Sequence, residues 1–231
     1  MSLGAIVLCR LDSRRLPAKA LRKVLGRPLL GHVLDRCRRV RMLEGQIVVA
    51  TSDRAVDDPI AQFCRREGVR VFRGAPHDVA GRLLATAGKF GFDYFFRVNG
   101  DSPFLEPSLL DNAASVMANG EFDLVTNLAP RSFPYGVSVE LLRTSSYQAM
   151  YGHFTRPEHF EHATPFLYEH LDRFECFNIR REGEDLSRFR LTVDTPEDFA
   201  AFSQFMARAA KHRLPAGYET AVQFSRLEEA A

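Results

Sequence analysis

Through its first 127 residues the chain alternates short apolar runs with segments whose apolar residues recur every three or four positions. That rhythm limits the fold more than any other feature. The runs at 4–9, 46–51, 69–72, 94–98 and 122–126 predict strands. The intervening segments at 28–40, 57–67, 78–90 and 107–117 predict helices. Proline sits in the first turn of the first two helices and opens the fourth, at Pro28, Pro59 and Pro107. Gly68 and Gly91 stop the second and third. Strands separated by helices of this length make βαβ units and a mostly parallel sheet. The strands are almost continuously apolar, as expected when helices cover both faces.

After Asn127 the rhythm changes. Residues 129–135 read as a loop rich in proline and aromatics, and 137–142 as a strand. Helices are expected at 144–150, 157–169 and 196–211, and strands at 174–179 and 189–193. Beyond Arg213 the pattern weakens. No linker, repeat or low-complexity run divides the chain, so 1–231 is expected to form one α/β domain with an appended β element.

Three constellations carry chemistry. The first is the loop 10–19, which follows the first strand directly and places Arg10, Arg14, Arg15 and Lys19 within ten residues. In an open α/β sheet, ligands bind at the carboxyl ends of strands. Four mutually repelling cations there call for a highly charged anion, and a nucleoside triphosphate fits. Arg10, Arg15 and Lys19 would meet phosphate oxygens, with Ser13 and loop N–H groups adding hydrogen bonds. Neither the phosphate-loop pattern G-x-x-x-x-G-K-[ST] nor the dinucleotide pattern G-x-G-x-x-G occurs.

The second is Asn99-Gly100-Asp101-Ser102-Pro103, at the end of the fourth strand, which aims the Asp101 carboxylate at the same crevice. Magnesium takes a few hard oxygen ligands and otherwise keeps water and phosphate. The third is Thr192-Val193-Asp194-Thr195-Pro196-Glu197-Asp198. Thr195 reads as a helix N-cap, Pro196 as the first helical residue, and the next two acids as partners of the helix dipole. Asp194 is left over, as a second metal carboxylate.

The charge balance of 31 basic to 29 acidic residues gives no global field toward nucleic acid or anionic membrane. No extended basic face with interleaved aromatics is present, and no apolar run approaches a membrane span. The N-terminus shows no signal-peptide pattern. The scattered cysteines, Cys9, Cys37, Cys64 and Cys176, fit reduced thiols in a cytoplasmic protein and offer no zinc site.

Seven motifs stand in one order: IVLCRLDSRRLPAK, GRPLLGHVLDR, IVVATSD, VFRGAPHDVAGR, RVNGDSPFL, FEHATPFLYEH and LTVDTPEDF. In this the chain resembles the cytidylyltransferases that activate acidic sugars, above all the spore-coat-polysaccharide and acylneuraminate types, with the Kdo and sialic acid enzymes as relatives. The resemblance implies a nucleotide-diphospho-sugar transferase (GT-A-like) fold. It implies transfer of CMP from CTP to an acidic sugar, Mg2+ as cofactor, and a homodimer built on the later β element. It assigns residues 1–127 to the nucleotide and 128–213 to the sugar and the dimer contact. Arg10, Ser13, Arg15 and Lys19 would hold the triphosphate, and Asp101 and Asp194 the magnesium. Asp78 and Arg82 would lie beside the base, and Glu140, Glu161 and His162 would face the sugar.

The chain departs from the resemblance in places. Asp12 and Ala18 replace glycines, with Asp12 expected to pair with Arg14. Tyr135 and Ser138 stand where acids are frequent, which points to a different sugar or a weaker activity. Arg131, Arg156 and Arg180 are further cations that could meet a sugar carboxylate. Two alternatives stay open: a transferase of the same fold using another nucleotide or a nucleotide sugar, and a non-catalytic nucleotide-binding protein of a polysaccharide pathway.

Overall fold

The computed structural model describes residues 2–229. In chain order the elements begin with β1 (Leu3–Leu8), the short hairpin β2 (Lys23–Val24) and β3 (Arg27–Pro28), and α1 (Leu29–Cys37). There follow β4 (Ile47–Ser52), α2 (Asp58–Arg66), β5 (Arg70–Gly74), α3 (Val79–Phe90), β6 (Tyr94–Asn99), α4 (Pro107–Asn119) and β7 (Leu124–Thr126). The remainder is β8 (Glu140–Arg143), α5 (Thr144–Tyr151), α6 (Pro157–His162), α7 (Pro165–Glu169), β9 (Cys176–Asn178), α8 (Pro196–His212) and α9 (Tyr218–Glu229).

Seven strands form one sheet in the order β5-β4-β1-β6-β8-β7-β9. All neighbours are parallel except β8, which runs against both β6 and β7. The strands β1, β4 and β5 build outward in one direction, and the chain then returns to lay β6 on the other side of β1. The strand order therefore reverses between β1 and β6, where an open α/β sheet forms a crevice.

Every residue of β1 and β4 is buried. Leu3, Ala5 and Val7 pack with α1, α4 and α8 on one face, and Ile6 and Leu8 pack with α3 and α5 on the other. Two covered faces explain why both strands read as unbroken apolar runs.

Four expectations change. The segment 157–169 is two helices, because the buried Ala163 takes φ +70 between them. The strand at 137–142 is regular only from Glu140. The segment 189–193 makes a single bridge, Tyr135 to Arg190, and no strand. Past Arg213 the chain forms α9, which buries Tyr218, Ala221 and Val222.

Candidate functional site

The basic loop leaves the C-terminal end of β1 in a fixed shape. Leu16 is fully buried beneath it, the N–H of Ala18 donates to the Leu11 carbonyl at 3.0 Å, and Leu11 N–H donates to Asp57 at 2.7 Å. Ala18 sits in the left-handed region at φ 55, the conformation in which a glycine is at ease. With its apolar residue anchored, the loop turns its cations outward toward β6.

The loop after β6 comes close because Gly100 has no side chain. Its N–H donates to the Leu8 carbonyl at 2.9 Å, and a Cβ there would meet the Cys9 Cβ at 2.7 Å. Asp101 is thereby set against Lys19, whose Nζ lies 2.7 Å from Asp101 Oδ2. The Asp194 segment joins them through a backbone bond, Val193 N–H to Asp101 C=O at 3.0 Å. Lys19 Nζ then also reaches Asp194 Oδ1 at 3.0 Å.

Three cations share Asp194: Lys19, Arg15 at 3.3 Å and Arg190 at 2.6 Å. Burial pushes the Asp194 carboxyl up, but Lys19, Arg15 and Arg190 outweigh it and hold the group below its ordinary value. Burial likewise pulls Lys19 down, and the Asp101 and Asp194 carboxylates reverse that, so its ammonium stays charged. The helix start behind Asp194 is self-contained. Thr195 caps α8 and Asp198 accepts from the backbone N–H groups of Asp194 and Thr195, leaving the Asp194 side chain free for the site.

Arg15, Lys19 and Asp101 open onto a cavity of about 410 Å³ between the ends of β1 and β6, while Asp194 and Arg190 lie outside its lining. Arg10, Ser13, Arg15, Lys19, Arg82 and Asp101 line it, as do Glu161 and His162 from the exposed end of α6. Arg10 and Arg82 donate to loop carbonyls, Arg10 to Pro76 at 2.9 Å and Arg82 to Ala75 at 2.5 Å. The Nε of Arg82 is buried with no hydrogen-bond partner, and burial, then the nearby charge of Arg10, lowers its pKa. A buried donor left unpaired in a cavity wall is a place for an acceptor group on a ligand.

Two expectations for the site are corrected, those for Glu140 and Asp12. Asp78 caps α3, the helix that carries Arg82, through Gly81 N–H at 2.7 Å, and accepts from Tyr151 Oη at 2.6 Å. That carboxylate, after burial, holds the Tyr151 phenol up at about 12. Glu140 is buried and pairs with Arg97, with Tyr168 Oη at 3.1 Å, so it supports the cavity wall from behind. Asp12 pairs with Arg54 at 2.5 Å and Arg10 at 3.5 Å, not with Arg14, and its charge is neutralised there. Of the further cations, Arg156 is held by Glu169 and His159, and Arg180 is exposed.

The residues not anticipated were Arg97, Arg190 and Asp57. Arg97 had a signal, as a lone charge inside an apolar strand. Arg190 had one too, four residues before Asp194. Oxygen-only donors from Asp101 and Asp194 converge on a single cationic centre, a set that suits a hard divalent ion as well as the ammonium that stands between them.

A cytidylyltransferase family model matches residues 4–228. The spore coat polysaccharide biosynthesis protein SpsF of Bacillus subtilis is 28% identical over 98% of this chain and 95% of its own length. The 3-deoxy-manno-octulosonate cytidylyltransferase of Geobacter sulfurreducens is 37% identical over 51% of this chain and 46% of its own. A cytidylyltransferase structure from Leptospira borgpetersenii serovar Hardjo-bovis superposes with a TM-score of 0.91 at 26% identity, covering 100% of this chain and 96% of that one.

Proposed function

The chain belongs to the cytidylyltransferase family, and we propose that it transfers CMP from CTP to a hydroxyl of an acidic sugar, releasing pyrophosphate for surface polysaccharide or glycan synthesis. One observation carries this reading: four cations, Arg10, Arg15, Lys19 and Arg82, share a single cavity with the Asp101 carboxylate at the point where the strand order reverses.

The acceptor oxygen attacks the α-phosphorus in line. The bond from that phosphorus to the bridging oxygen breaks, and pyrophosphate leaves with the electron pair. The hydroxyl proton passes to solvent. Asp101 and Asp194 would hold Mg2+, which when bound neutralises phosphate charge and polarises the phosphoryl group. Lys19 and Arg15 pair with the leaving phosphates, and Arg10, Ser13 and Arg82 orient the nucleotide. Catalysis is then mostly positioning and charge neutralisation. Asp12, already paired with Arg54 and Arg10, does not oppose the phosphates. Glu161, 4.0 Å from Arg10, and His162 line the same cavity and would meet the acceptor.

The relatives support the assignment of substrate: one carries 3-deoxy-manno-octulosonate in its name and another a role in spore coat polysaccharide synthesis. The edge strand β9, where the exposed Phe177 packs beside Phe122, supports a homodimer, which light scattering tests. Four free thiols fit a cytoplasmic setting. The decisive experiment is a pyrophosphate-release screen of the four ribonucleoside triphosphates against carboxylated and neutral sugars, with and without Mg2+. Release with CTP and a sugar acid is expected. Preference for another triphosphate, for neutral sugars only, or no release at all would overturn the reading.

A further inference from the structure

Beside the cavity the structure holds an arrangement that the triphosphate does not need. Tyr135 lines the cavity and is 44% exposed. The guanidinium of Arg131 lies 4.9 Å from its ring centroid and that of Arg190 lies 4.5 Å away. Two cations thus share one phenol ring at the mouth of the site.

Backbone bonds fix the arrangement. Tyr135 N–H donates to the Phe189 carbonyl at 2.8 Å, and Leu191 N–H donates to the Tyr135 carbonyl at 2.7 Å. Gly136 takes φ +101, and a Cβ there would strike the backbone of Leu191 and Thr192 at 2.9 Å. The segment bearing Tyr135 is therefore pressed directly onto the segment bearing Arg190 and Asp194.

The two cations differ in their partners. Arg190 is bound to Asp194. Arg131 has no carboxylate in ion-pair range among the described residues. It donates only to the Pro134 carbonyl and Ser138 Oγ, both at 3.4 Å, near the limit of a hydrogen bond. Glu140, the acid that faces it at longer range, is already engaged by Arg97 and Tyr168. A half-buried guanidinium beside an active cavity, set over an aromatic ring and short of an acid, is prepared for a carboxylate, which its planar fork matches in two-pronged fashion.

We propose that the Arg131–Tyr135–Arg190 stack seats the carboxylate of the acceptor sugar, and that Arg131 is the residue that makes the enzyme prefer acids to neutral sugars. This rests on the CMP-transfer reading above. Arg190 contributes to both sides of the reaction, because it also holds Asp194. Arg131 contributes to the acceptor side alone.

The test uses the sugar acid that gives the most pyrophosphate release in the panel, together with its carboxyl-reduced analogue. In Arg131→Gln the KM for the acid is expected to rise roughly 10- to 100-fold, with kcat and the KM for CTP little changed and the analogue turned over as by the wild type. Arg131→Lys should recover part of the loss. Tyr135→Leu, at a partly exposed position, should reproduce the acid-specific rise should Arg131→Gln fold poorly. If an acid is turned over and its KM is unmoved in both Arg131→Gln and Tyr135→Leu, this proposal falls while CMP transfer stands. An equal rise in the KM for CTP overturns it in the same way. If no acid is turned over by the wild type, both readings fall together.

Discussion

Two ion clusters in this molecule use the same chemistry to different ends. One lies away from the cavity and joins β3, α1 and the end of α2. Arg27 binds Asp35 at 2.5 Å and Glu67 at 2.9 Å, and Arg38 binds the same two acids at 3.0 and 3.1 Å. Two guanidiniums face two carboxylates, and every charge has a near partner. The other lies at the ends of β1 and β6. There Asp194 is divided among Lys19, Arg15 and Arg190, while Arg10 and Arg82 spend donors on neutral carbonyls. The first cluster is complete and can only hold the fold. The second holds its cations with partners that an anion could replace, which is what a site for polyphosphate requires.

Substitutions separate the two. The largest effect is expected at Asp101. Asp101→Asn should lower Mg2+-dependent pyrophosphate release by about 10²- to 10³-fold with the melting temperature preserved. Turnover at the wild-type rate would remove Asp101 from the chemistry. Next comes Lys19→Ala, which deletes a charged donor. CTP should bind roughly 10- to 100-fold more weakly by calorimetry, and CMP much less so. Equal losses for both nucleotides would show that Lys19 does not meet the outer phosphates.

The complete cluster should answer in the opposite sense. Arg27→Ala should cost about 1 kcal/mol of stability in urea titration, because the pairs are half exposed and screened, and should leave turnover intact. A parallel loss of turnover would break the contrast. The smallest effect is in pH. Arg27, and then Arg38, hold the Glu67 carboxyl below its ordinary value. Its folded pKa is depressed, so its stabilisation is present above the unfolded value near 4.5 and is lost as pH falls through the folded one. The stability gap between wild type and Glu67→Gln should therefore narrow between about pH 6 and about pH 3. A gap that widens toward acid would reverse the assignment.

Much of the fold was legible because burial on two faces leaves a plain mark. The strands β1, β4, β5 and β6 read as apolar runs, and α1 to α4 as periodic segments between them. Where the mark failed, a particular contact was responsible. Phe189, Leu191 and Val193 are all buried and alternate like a strand, yet Gly136 at φ +101 bends their partner away after one bridge. Ala163 breaks a helix that its neighbours favour, because a buried turn imposes φ +70 on a residue that does not advertise it. Helix α9 was missed, because its buried residues Tyr218, Ala221 and Val222 span little more than one turn.

At the site, residue types were readable and pairings were not. The loop 10–19, Asp101 and Asp194 stood out through their places at strand ends. Asp78 and Glu140 looked equally eligible, and only the tertiary fold sets one as the cap of α3 and buries the other against Arg97.

By itself the sequence determined the α/β character of the chain, the family it resembles and the loops that carry its charge, because periodicity and strand-end position are local properties. The tertiary structure decided that β8 runs antiparallel, that one ammonium sits between two carboxylates from residues 101 and 194, and that Arg131 and Arg190 flank one tyrosine. Those are meetings of distant segments, set by backbone bonds and by glycines that allow close approach, and no local pattern encodes them.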